Sequence, residues 1–285
     1  MPTPTRLSWR VLSLAEHPGP WNMALDHALA LTLPSSSGVV RFYGWSRPTL
    51  SLGRHEPATG VWNPEAARKT GVDVVRRPTG GRAVFHQAEV TYSVAVPARV
   101  LGGARGAYAL IHRGLVLGLR KLGVPAALVT TQGRVLSPDA GPCFRDPTPG
   151  EIMVAGRKVV GSAQARLGAA LLQHGSVLLD GSQEESLARL RCVGGRAASS
   201  PEEGGGSPGA TTLTESLGYS PTPDNVAGAL LQGLGEVLPG FQEAEGEMGS
   251  VAEVGALAQD LLRRYESSEW TWLRKSPEVA AVSWG

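Results

Sequence analysis

Residues 151–180 read EIMVAGRKVVGSAQARLGAALLQHGSVLLD. Three apolar or alternating runs stand in this stretch, at Glu151–Val154, Lys158–Ala165 and Leu171–Leu179. The first two are separated only by AGR at 155–157, a short hairpin turn. Strands joined this tightly leave no room for a helical crossover, which excludes a doubly wound parallel sheet. Alternation along the middle run predicts Lys158, Val160, Ser162 and Gln164 on one face.

Working outward, further strands are predicted at Val39–Trp45, Thr49–Arg54, Val72–Arg76 and Ala126–Thr130. Ala83–His86 and Val90–Val96 read as a hairpin, with Val90, Tyr92, Val94 and Val96 on one face. A helix is expected after Asn22, which can cap it. Another spans Gly106 to Leu122, with Tyr108, Ile111, Leu115 and Leu119 at helical spacing and Gly123 as its stop. Asp224 can cap a helix running to about Leu238, and SVAE at 250–253 forms a capping box before Val254, Leu257, Leu261, Leu262 and Tyr265. The expected fold is α+β, a mixed β-sheet flanked by helices. Residues 194–212 hold 11 Gly, Pro or Ser among 19, which marks a flexible loop. The division expected is 1–193 as the main domain, 194–212 as that loop, and 213–285 as a small helical part packed on the main domain.

The chain has 285 residues, a hydrophobic share of 42% and a net charge of +2. That balance, with no dense Lys/Arg run and few aromatics, argues against a nucleic-acid partner. The longest apolar stretches, such as Ala28–Leu33, are too short to span a bilayer, so no membrane role is expected. Two cysteines make no disulfide framework and no signal-peptide core is evident, so the expectation is a cytoplasmic protein.

Four stretches can carry chemistry. RRPTGGRAVFH, residues 76–86, offers a Gly-Gly turn flanked by arginines, able to approach an anion or a polarised carbonyl. A plain hairpin with surface arginines explains the same letters, and neither standard nucleotide-binding glycine motif is present. GRKVVGSAQAR, residues 156–166, places a lysine, a hydroxyl and an amide in a row, as a substrate groove or a solvated strand face would. QHGSV holds His174, and no spacing of histidines and cysteines suggests a metal. Cys143, in GPCFRD, becomes a nucleophile only if a neighbouring cation stabilises its thiolate; Arg145 and Lys158 are candidates.

Together, and in this order, RRPTGGRAVFHQAEVTYS, CF with EIMVAGRKVVGSAQAR, and LLQHGSVLLD resemble the biotin/lipoate protein ligase family, most closely its cysteine-dependent octanoyltransferases. The resemblance runs from about Trp21 to Asp180 and resumes weakly at RYESSEWTW, residues 264–272. It implies the fold of biotin protein ligase catalytic domains and class II aminoacyl-tRNA synthetases. It implies that Arg77, Thr79, Gly80, Gly81 and Arg82 line an acyl pocket with His86 behind them, and that Gly161, Ser162, Gln164 and His174 also contact substrate. Lys158 matches the family's active-site lysine and Cys143 its nucleophile. Cys192 is the rival nucleophile, near where another branch carries its cysteine.

The implied reaction moves an octanoyl group from acyl carrier protein to a lysine of lipoyl domains, those of 2-oxoacid dehydrogenase E2 and glycine cleavage H protein, through an acyl-cysteine. It needs no cofactor, and a monomer suffices. Arg76, Arg82, Arg145 and Arg157 would form a basic rim for the acidic carrier. Three alternatives stay open: an H protein donor, an ATP- and Mg-dependent lipoate ligase, and a non-catalytic carrier-binding protein.

Overall fold

A computed structural model describes residues 7–129, 150–192, 209–241 and 251–275. Two sheets organise them. The large one has seven strands: β1 (Ser8–His17), β2 (Ser37–Trp45), β6 (Glu89–Pro97), β7 (Ala127–Leu128), β8 (Ile152–Val154), β9 (Arg157–Leu167) and β10 (Ala170–Leu178). Their order is β1-β2-β6-β10-β9-β8-β7. Only β1 and β2 run parallel; every other neighbour is antiparallel. The small sheet places β3 (Thr49–Leu52) between β4 (Asp73–Arg76) and β5 (Val84–His86).

The stretch 151–180 therefore forms adjacent antiparallel strands, as the short turns dictate. Ala155 and Gly156 both have positive φ, at 47° and 77°, the conformation a two-residue turn between β8 and β9 requires. The hairpin expected from 83–86 and 90–96 does not form. β5 pairs with β3 and β6 with β2 and β10, so the chain changes sheets at Gln87 and Ala88. Both strands alternate correctly, but a short link between strands can also turn a corner.

Helices cover both faces of the large sheet. On one face lie α3 (Gly103–Lys121), α5 (Leu213–Leu217) and α6 (Pro223–Val237). Val90, Tyr92, Val94 and Val96 of β6 meet Ile111, Leu115 and Leu119 of α3 there. α3 and α6 touch through glycines: a Cβ on Gly233 would lie 2.2 Å from the Gly114 carbonyl oxygen. On the other face, α1 (Gly19–Leu31) packs under α7 (Val251–Glu266), joining Met23, Ala24 and Ala28 to Val254, Leu261 and Tyr265. Of the helices from Leu213 on, α5 and α6 thus lie on one face of the large sheet and α7 on the other. α2 (Pro64–Lys69), α4 (Gln183–Ala188) and α8 (Ser268–Leu273) attach to the small sheet, as Ala67, Leu187 and Trp272 show.

Two caps differ from expectation. α1 starts at Gly19 after Pro18, with proline in its first turn, so Asn22 lies inside the helix. The Asn22 amide instead donates to the His17 and Gly44 carbonyls. α6 is capped by Thr222, whose hydroxyl accepts from the Asn225 amide, rather than by Asp224. Ser250 of the capping box, and residues 194–208 of the expected loop, lie outside the described residues. Among the described residues no helix is long and apolar enough to cross a membrane, and no cluster of His, Cys, Asp and Glu could hold a metal ion.

Candidate active site

A cavity opens where the small sheet meets the α1 face of the large one. Its floor follows from the period-two alternation of four strands. Tyr43 and Trp45 come from β2, Thr91 from β6, His174 and Ser176 from β10, Gly161 and Ala163 from β9. Ser176 pairs with Gly161 and His174 with Ala163, so the β9 side is small where the β2 side is aromatic. Met23 of α1, Arg77, Val84 and His86 complete the wall. An apolar surface with a few convergent polar groups is the ordinary make-up of a small-molecule pocket.

The loop 77–83 arches over the end of β3. It lies so close that a Cβ on Gly53 would meet the Gly81 carbonyl oxygen at 1.7 Å. Arg77 fastens the loop from within, donating to the carbonyls of Gly80 (3.1 Å) and Arg82 (2.8 Å) and to the Ser51 hydroxyl (2.5 Å). Two buried carboxylates then anchor the loop through two histidines. Glu89 Oε1 accepts from His86 Nδ1 (2.8 Å), Trp45 Nε1 (3.0 Å), Thr91 (2.5 Å) and Ser176 (2.8 Å). His86 Nε2 in turn meets the Ser51 hydroxyl at 2.6 Å. Asp26 accepts from Arg41 and from the hydroxyls of Tyr43 and Ser93, and meets His174 Nδ1 at 3.2 Å. His174 Nε2 faces the Thr79 hydroxyl at 2.6 Å. Each chain runs carboxylate, imidazole, hydroxyl, and each ends on the loop or on the arginine that holds it. The Ser51 hydroxyl thus joins the Arg77 guanidinium to His86 Nε2.

Charge follows this wiring. Burial pushes the Asp26 carboxyl up, but Arg41 and His174 hold it below the usual carboxylate range. Burial likewise raises Glu89, and His86, Thr91 and Ser176 outweigh it and keep Glu89 low. Burial lowers His174, which Asp26 partly offsets.

On β9 the structure corrects the expected row. Ile152 pairs with Val160, but Met153 pairs with Lys158, so Val159 is an extra residue, a β-bulge. Val159 and Val160 both enter the α3-side core, and Lys158 moves to the opposite face, the one that carries Gly161 and Ala163. A one-residue slip reverses every side chain before it. Lys158 is buried, with Nζ 2.5 Å from Glu151 Oε1. Ser162 and Gln164 stay on the α3 face. The Ser162 hydroxyl, whose residue also borders the cavity, bonds Tyr92 and His112, and Gln164 donates to Gln173 and does not line the cavity.

Of the residues expected at substrate, Arg77, Gly161, Ser162, His86 and His174 line one cavity, and Thr79, Gly80, Gly81 and Arg82 form the loop beside it. Cys143 lies outside the described residues, as does Arg145. Cys192 is half-buried beside the Trp62–Arg191 bridge and does not line the cavity. Arg76 does not belong to a rim. It is fully buried and donates to the carbonyls of Trp270, Thr271, Gly53 and Glu56, tying α8 to β4. Burial lowers it to about 10. Arg157 pairs with Glu215. Met23, Asp26, Tyr43, Trp45, Ser51 and Glu89 were not anticipated. The legible sign of the last was an acid opening an otherwise apolar strand.

A family model for the lipoyl protein ligase A/B catalytic domain matches residues 18–235. The chain belongs to this family. It is 38% identical over 280 residues to the octanoyltransferase LipM of Kyrpidia tusciae, covering 93% of this chain and 98% of that protein. It is 41% identical over 187 residues to the octanoyltransferase LipM of Bacillus subtilis, covering 61% of this chain and 66% of that one. Among solved structures, a lipoate-protein ligase A bound with ATP superposes with a TM-score of 0.71 at 22% identity, covering 93% and 99% of the two chains. A lipoate protein ligase from Thermoplasma acidophilum gives 0.72 at 21%, covering 96% and 100%. These likenesses bear out the α+β mixed-sheet fold.

Proposed function

We propose that this enzyme transfers an octanoyl group from acyl carrier protein to the lysine of lipoyl domains, through an acyl-cysteine on Cys143. The observation that carries the reading is similarity to an octanoyltransferase along nearly the whole of both chains. The geometry supports it. An apolar-walled cavity suits an alkyl chain, and Lys158, though not lining it, is buried on β9, the strand that supplies Gly161 and Ala163 to its floor.

In this mechanism the Cys143 thiolate adds to the thioester carbonyl. The carbon–sulfur bond to the carrier breaks, and the carrier leaves as a thiol after taking up a proton. The acceptor amine then adds to the acyl-cysteine, loses its proton, and expels the Cys143 thiolate as the amide forms. Splitting one acyl exchange into two steps through a thiolate leaving group is what covalent catalysis supplies. Lys158 holds the carbonyl oxygen as charge develops on it, a donor typically worth about 3 kcal/mol. The two imidazole chains keep the 77–83 loop in place.

The reaction so written uses no metal, ATP or other cofactor. Its partners are the carrier and lipoyl-domain proteins, those of 2-oxoacid dehydrogenase E2 and H protein, and it runs in the cytoplasm as a monomer. The family domain with the helices beyond residue 213 acts as one unit. Mixing the protein with octanoyl-acyl carrier protein and an apo lipoyl domain, without ATP, tests the reading. Octanoylation of the lipoyl domain is expected. Modification that appears only with ATP and free acid would replace this reading with ligation.

A further inference from the structure

The lysine assigned to the carbonyl stands at the end of a line of polar contacts that crosses the protein. Its ammonium meets Glu151 at 2.5 Å, and the two side chains are only 2% and 10% exposed. A lysine so buried keeps its charge only if an anion is held against it. What holds the anion is its own backbone. The Gly150 amide donates to the Val129 carbonyl and the Val129 amide to the Glu151 carbonyl, both at 2.9 Å. The Gly150 carbonyl accepts from His112 Nδ1 at 2.5 Å.

His112 is itself fixed. Its ring packs on Tyr108, with centroids 4.0 Å apart. With Nδ1 donating to a carbonyl, Nε2 of the neutral ring must accept, so the Ser162 hydroxyl donates to it at 2.9 Å. Ser162 then accepts from Tyr92 at 2.7 Å, Tyr92 accepts from Gln173 at 3.0 Å, and Gln173 accepts from Gln164 at 3.1 Å. Every link runs in one direction and ends at Gly150. Burial lowers His112 to about 4, so the ring stays neutral and the direction holds at physiological pH.

We propose that Glu151 is the positioning residue that holds the Lys158 ammonium in place, and that His112 sets Glu151 through the Gly150 carbonyl. Ser162 and Gln164 then act from behind the sheet, by fixing His112. The consequence for rate rests on the transferase reading; the placement of Lys158 does not.

The test uses ¹³C-lysine labelling and acylation kinetics. The chain has four lysines, so K158R assigns the Lys158 Cε resonance. In E151Q that resonance is expected to shift from its wild-type position, and kcat for acylation to fall on the order of 100-fold with the apparent KM for carrier little changed. E151D, which keeps the ion pair, retains most of both. H112N keeps a donor toward Gly150 and leaves the resonance in place, whereas H112Q, whose amide reaches only the Ser162 side, shifts it. A wild-type resonance and rate in folded E151Q would overturn the proposal. Should E151Q not fold, an identical Lys158 resonance in H112N, H112Q and wild type would overturn it instead. Absence of transfer by the wild type would remove the transferase reading and leave the resonance result standing.

Discussion

Replacing Gly53 by alanine tests whether the 77–83 loop needs its close seat on β3. The added Cβ would lie 1.7 Å from the Gly81 carbonyl oxygen, where real Cβ contacts stay beyond 3.0 Å, so more than an ångström must be made up. The obstacle is backbone, not the end of a flexible side chain, and the loop must lift. Lifting strains the bonds that seat it: Arg54 amide to the Thr79 carbonyl (2.8 Å), Arg77 to Gly80 (3.1 Å), and Thr79 to His174 (2.6 Å). Losing two of these costs about 2 kcal/mol, or roughly 4–8 °C of melting temperature in a chain of this size. Displacing a site loop by about 1 Å costs on the order of 100-fold in rate. Circular-dichroism melting and the rate of octanoyl-enzyme formation by intact mass read the two effects. Gly228→Ala, on the exposed side of α6 with nothing within 4 Å, serves as the neutral control. A G53A protein that melts and acylates like the wild type would refute the packing argument.

Three further outcomes follow from the same framework. Asp26→Asn leaves Arg41 buried without its counter-ion and should cost about 3–5 kcal/mol in chemical denaturation. Because the folded Asp26 carboxyl lies below its ordinary value of 3.8, its stabilisation is present above that pH and lost as pH falls through the folded value, so D26N should flatten the acid limb of stability. His27 and His112 are each lowered from 6.5 to about 4, so the unfolded chain binds protons first. Stability is full above about pH 6.5 and is lost toward pH 4, on the order of 3 kcal/mol for each ring; urea midpoints between pH 4.5 and 7 that do not rise would contradict this. Gly233→Ala drives a Cβ against the backbone of α3 and should lower the melting temperature by several degrees with the cavity unchanged, as ligand-free melting and acylation rate together would show.

Much of the fold was legible because strand runs and turn residues agree. The 155–157 turn, the buried face of β6 and the stripe of α3 all sit where period and glycine put them. The failures share a physical cause: they depend on partners distant in sequence. No residue type marks the bulge at Val159, yet it decides which face Lys158 serves. Asn22 looks like a cap because its side-chain oxygen can accept from a helix N–H; here that oxygen accepts from Arg41 and its NH2 donates to the Gly44 carbonyl. Arg76 and Arg77 are identical letters, but one clamps α8 and the other the loop. The anchoring acids Asp26 and Glu89 lie within or beside apolar runs, and their partners come from four different strands.

The most direct test of the proposed chemistry is the intact mass of the protein after mixing with octanoyl-acyl carrier protein, in the absence of ATP and acceptor. Octanoyl transfer through Cys143 predicts the mass of one added octanoyl group, lost in C143S and kept in C192S. An unchanged mass in the wild type, or an adduct that survives in C143S, would contradict it.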